Sequence, residues 1–97
     1  MKAVLIIFNQ TYYGEILEMM DRNNIRGFTY WEHVQGRGTK TGEPHYGSHA
    51  WPTMNSAIMA VMDDSKVDSF LDLLHQMDKH TEAQGLRAFV WNIEKGI

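Results

Sequence analysis

Cysteine is absent from this sequence, which excludes disulfides, thiolate metal sites and cysteine nucleophiles together. Proline is scarce: Pro44 and Pro52 both fall in one stretch, so no ring interrupts a helix or strand elsewhere. No apolar run nears the roughly 18 residues that a membrane-spanning helix needs. The opening MKAVLIIF passes directly into polar residues with no small-residue cleavage site, and so does not read as a secretory leader. Neither sign of charge dominates. A formal net charge of −3 gives no global basis for nucleic-acid binding. The G-x-S-x-G, H-E-x-x-H and P-loop patterns are missing as well, so the common catalytic signatures find no support. The expectation is a cytoplasmic, non-enzymatic protein that neither binds nucleic acid nor inserts into a membrane.

What is present is enough for a core. With 97 residues, 43% of them hydrophobic, the chain reads as a single domain over 1–97, small enough for self-association to add stability. AVLIIF at 3–8 carries apolar residues on both faces, as an inner strand does. Tyr13, Ile16, Leu17 and Met20 recur at helical spacing, and Asn24 with Gly27 supplies the exit. A strand is predicted over about 27–35, where Phe28, Tyr30, Trp31 and Val34 concentrate. MNSAIMAVM at 54–62 predicts another. Asp63, Asp64 and Ser65 then offer capping oxygens to a helix whose apolar stripe is Val67, Phe70, Leu71, Leu74 and Met77. Gly85 breaks the chain before the last strand, LRAFVWNI.

The order βαββαβ predicts an α+β, ferredoxin-like sandwich with two helices on one face of an antiparallel sheet. Strand residues of both parities read as apolar or aromatic, Tyr30 with Trp31 and Phe89 with Trp91. Two helices cover one face only, so the other face calls for a second copy of the chain.

Between the second and third strands lies GRGTKTGEPHYGSHAWP, residues 36–52, which is glycine-rich and too long for a tight turn. Gly36 and Gly38 can hold positive φ and admit a ligand close to the backbone, where Arg37 and Lys40 add positive charge. The same glycines would serve a surface loop without a ligand. His33, His45 and His49, with Glu43 nearby, are of the residue types that hold a divalent metal when several converge. They read equally well as exposed polar side chains. His75 and His80 read as a solvated helix end. Tyr46 and Trp51 suit either loop anchoring or contact with a partner. Met54, Met59 and Met62 could supply a soft copper(I) site, though core filling accounts for them.

The element order, VQGRGTKTG after the second strand, the return through Pro52, MDDSKVDSFLDLL and AQGLRAFVWNIEKGI together resemble the P-II signalling protein superfamily. The resemblance covers almost the whole chain. It is nearest to small P-II-like proteins, some of which accompany heavy-metal efflux pumps. It implies a homotrimer with its sheets facing inward, and a small effector such as an adenine nucleotide or another anion held between subunits. The 36–52 stretch corresponds to the family's T-loop, which engages a partner, for this group a membrane transporter or efflux pump. The implied ligand residues are Gly36, Arg37, Gly38, Lys40, Gly85 and Arg87. TEAQGLR stands where the family's phosphate-binding B-loop carries several glycines and a lysine. Two alternatives come from the residues themselves. One is a metal-binding regulator using His33, His45 and His49. The other is a small ferredoxin-like monooxygenase with His33 or His75 facing a cavity between sheet and helix.

Overall fold

The computed structural model describes residues 1–35, 54–80 and 86–97. They form β1 (Lys2–Asn9), a 3-10 turn (Gln10–Tyr12), α1 (Tyr13–Arg22), β2 (Phe28–Val34), β3 (Asn55–Met62), α2 (Asp64–His80) and β4 (Arg87–Asn92). The strands make one antiparallel sheet in the order β2-β3-β1-β4, with both helices on the same side. This is the expected ferredoxin-like sandwich.

β1 is central because its residues satisfy both faces. Val4, Ile6 and Phe8 are fully buried against the helices, and Leu5 and Ile7 are half-buried on the reverse. The core closes with Ile16 and Met20 of α1, Val67, Phe70 and Leu74 of α2, and Ile58, Ala60 and Met62 of β3. Each of these helical residues belongs to an apolar stripe at three- and four-residue spacing.

The junctions have local causes. Asn9 ends β1 by folding its side chain onto the following backbone: its Oδ1 accepts from the Thr11 N–H at 3.0 Å and from the Thr11 hydroxyl at 2.8 Å. Such an Asx turn starts the 3-10 turn that leads into α1. α1 closes where Asn24 takes φ 56°, the left-handed conformation that asparagine tolerates best after glycine. The Ile25 N–H then returns to the Met20 carbonyl at 2.9 Å, completing the cap. Thus Asn24 forms the exit expected of it.

The register shows what the helices leave open. On the reverse face Trp31, Ala57, Ile7 and Arg87 form one cross-sheet row, and Thr29, Met59, Leu5 and Phe89 the next. Val61, Ala3 and Trp91 form a third. Trp31 is 44% exposed, Phe89 54% and Trp91 46%. One expectation is corrected here. Phe89 and Trp91 are two residues apart and therefore share the open face, whereas the helix-side face of β4 carries Ala88 and Val90. Tyr30 and Trp31 do point to opposite sides.

Candidate functional site

All four strands present their loop-bearing ends together. The last residues of β1 and β2 and the first residues of β3 and β4 lie at one end of the sheet. The 36–53 stretch leaves from β2 and returns to β3, and 81–85 leads into β4. The two roots nevertheless stand on opposite edges of the sheet. Three inter-strand spacings, roughly 14 Å, separate β2 from β4.

The β2–β3 root is held by a bulge. Trp31 pairs with Ala57 and Val34 with Asn55, so three steps on β2 answer two on β3. The hydroxyl of fully buried Ser56 donates to the Glu32 carbonyl across this irregularity at 2.6 Å. On the neighbouring strand pair, the Gln10 N–H donates to the Met54 carbonyl at 2.8 Å and fixes the start of β3. Such a bulge bends the strand, here over the last β2 residues.

The β4 root presents Arg87. Because β4 is an edge strand, its first side chain can wrap around the sheet edge toward α2. Nη1 of Arg87 lies 3.4 Å from Oδ2 of Asp78 and donates to the Leu86 carbonyl at 2.6 Å. Oδ1 of Asp78 is buried and has no hydrogen-bond partner among the described residues. A groove of about 260 Å³ opens beside the pair, with Leu71, Leu74 and Leu86 as its apolar wall and His75 also lining it.

Of the sequence-predicted ligand residues, the described part contains Arg87. Gly36, Arg37, Gly38, Lys40 and Gly85 lie outside the described residues, as do His45, His49, Tyr46 and Trp51. His33 is described: it is exposed on β2, with Nε2 3.9 Å from Oε2 of the adjacent Glu32. Among the described residues no three histidine, aspartate or glutamate side chains gather as a metal site. His33 is also not enclosed between sheet and helix, whereas exposed His75 stands at the groove beside α2. Met59 and Met62 lie on opposite faces of β3, which removes the methionine cluster. Among the described residues no helix is long and apolar enough to cross a membrane.

The Asp78 partnership of Arg87 is what sequence reasoning missed. An arginine opening an edge strand and an aspartate near the end of the preceding helix were the available signals.

The described geometry agrees with what comparison with known proteins finds. The family model described as nitrogen regulatory protein P-II matches residues 1–97. Among solved structures, CPII from Thiomonas intermedia K12 is a nitrogen regulatory PII-like protein. In the form bound to ADP, AMP and bicarbonate it superposes with a TM-score of 0.77 at 20% identity, covering 98% of this chain and 93% of that one. Its apo form gives 0.73 at 18% identity, with coverage of 95% and 87%. A PII-like signaling protein from Thermus thermophilus gives 0.67 at 17% identity, with coverage of 95% and 85%. At these identities the structural likeness establishes the fold. A search of curated proteins gives no significant match.

Proposed function

The chain belongs to the nitrogen regulatory protein P-II family, and on that premise we propose that it is a regulatory protein of the cytoplasm, a single domain over 1–97 that binds a small anionic effector between subunits of a homotrimer. The observation that carries this reading is the separation of the two loop roots. Arg87 and the end of β2, from which the chain continues to Gly36, occupy opposite edges of one sheet, so a neighbouring copy is the natural source of the second half of a shared site. The bare apolar face, with Trp31, Phe89 and Trp91, supplies the reason for copies to associate.

The effector is an adenine nucleotide or a smaller anion. Support comes from the relative of known structure that is bound to ADP, AMP and bicarbonate. Arg87, Gly85 and the Gly36, Arg37, Gly38 and Lys40 segment are the ligand residues. The 36–52 stretch is the arm through which the bound state acts on a partner, a membrane transporter or efflux pump. The action is regulatory and involves no turnover.

Titration calorimetry with ADP, ATP, AMP, bicarbonate and divalent metal ions tests this reading. Binding of a nucleotide or bicarbonate, reduced at least tenfold by Arg87→Gln together with Arg37→Gln, is the expected result. Metal binding lost in His33→Ala/His45→Ala/His49→Ala, with no nucleotide or bicarbonate bound, would instead establish a metal-binding regulator.

A further inference from the structure

We propose that Asp78 is a built-in competitor for Arg87: it holds the guanidinium on α2 and thereby limits the affinity of the effector site for anions. The proposal rests on the reading of Arg87 as an effector ligand and adds the residue that regulates it. Three observations carry it. First, Arg87 is turned around the sheet edge onto α2 by its contact with Oδ2 of Asp78 at 3.4 Å. An effector anion must therefore draw it away from a carboxylate or share it with one.

Second, Asp78 stands in the final turn of α2, which ends at His80. The helix dipole places partial negative charge at this end, which disfavours a carboxylate there. An aspartate at this position gains nothing from the helix dipole, and among the described residues the guanidinium of Arg87 is the cation it meets. Third, the pairing is loose: the contact is long at 3.4 Å, and the Arg87 side chain is 38% exposed. A long, partly exposed ion pair is weak enough to be displaced by a ligand, but strong enough to reduce apparent affinity by the fraction of time that Arg87 is held.

The test is ADP binding by calorimetry to the wild-type protein, Asp78→Asn, Arg87→Gln and the double variant. Asp78→Asn keeps the shape of the side chain and relieves the charge at the helix end, so the fold should be retained. Asp78→Ser, which removes the carboxylate and its shape together, serves as the second variant. Both single Asp78 variants are expected to bind ADP roughly two- to fivefold more tightly than wild type. The gain should disappear in the Arg87→Gln background. A residue that merely supported the structure would give a loss or no change, and its effect would not depend on Arg87. Affinity unchanged or weakened in both Asp78 variants, with wild-type binding still sensitive to Arg87→Gln, overturns the competitor role and leaves the effector reading standing. Binding indifferent to Arg87→Gln, or no ADP binding by any of the proteins, overturns both.

Discussion

Tyr13, the first residue of α1, stacks on Tyr30 of β2 with ring centroids 4.1 Å apart and planes inclined by 17°. The pair joins the entry of the first helix to the edge strand that carries the long loop. Both rings are half-buried and pack against the core, so they add a specific contact to the general burial of that corner. Stacked aromatic pairs contribute about 0.5–1.5 kcal/mol beyond their area. A double-mutant cycle on Tyr13→Leu and Tyr30→Leu, read by urea unfolding, should give a coupling energy in that range. Strict additivity of the two substitutions would show that the rings only fill space.

The next residue, Trp31, faces the other way, and its substitution should have a different consequence. Trp31, Phe89 and Trp91 hold up little of the described subunit, since each remains 44% exposed or more. Full burial of one large apolar side chain contributes roughly 1.5–3 kcal/mol, and in an assembly this gain belongs to association. Trp91→Glu places a charge where a copy would pack, and desolvating that charge opposes assembly. Sedimentation should show wild-type trimers and Trp91→Glu monomers, with nearly unchanged far-ultraviolet circular dichroism. Wild-type protein that sediments as a monomer at micromolar concentration would remove the trimer from the proposal.

At the opposite end of the sheet the chain start is tied to α2. The amino terminus lies 3.0 Å from Oδ1 of Asp64, and Nζ of Lys2 lies 3.9 Å from Oδ2. The hydrogen bond from the terminal ammonium holds the Asp64 carboxyl below its ordinary value of 3.8, with desolvation opposing and the charges of the terminus and Lys2 assisting. Because the folded value is lowered, the stabilisation is fully present above the ordinary carboxylate range. It is lost as pH falls through the lowered value. NMR titration of the Asp64 carboxyl should give a midpoint below 3.8, and acetylation of the terminus should move it upward. A midpoint indifferent to acetylation would mean that the contact does not persist in solution.

Much of this architecture was legible from residue patterns, because its elements are locally coded. The alternation of Val4, Ile6 and Phe8 and the stripe of Val67, Phe70 and Leu74 each name one buried face. Asn24 marks the end of α1 by a conformation that few side chains adopt. The 3-10 turn was not anticipated, since it follows from a hydrogen bond between Asn9 and Thr11 and not from periodicity. The β2 bulge escaped for a similar reason: it depends on pairing with β3, which Glu32 and His33 do not reveal alone. The partnership of Arg87 with Asp78 requires knowing that β4 is an edge strand and that α2 ends beside it. Composition of the loop identified candidate ligands, but the topology supplied the separation that argues for two copies around one site.

Ser56 connects stability to that site. It is fully buried on the helix-side face of β3, where β1 offers Phe8 as its partner, and its hydroxyl has one purpose visible in the fold. It donates to the Glu32 carbonyl inside the bulge at 2.6 Å. Ser56→Ala removes that carbonyl's side-chain donor, at a cost of about 0.5–1.5 kcal/mol. It also removes the pin that distinguishes the bulged register from a regular one, and a shift of one residue would exchange the faces of Glu32, His33 and Val34. The expected outcome is a lower urea midpoint together with weaker ADP binding, because the segment that follows Gln35 would leave β2 in a different direction. Ser56→Thr keeps the hydroxyl and should restore binding more fully than stability, since its extra methyl must still be fitted into the core. Calorimetry well below the unfolding transition separates the two effects. If Ser56→Ala lowers stability while ADP affinity stays at the wild-type value, the bulge is a packing device, and the direction in which the loop departs does not matter to effector binding.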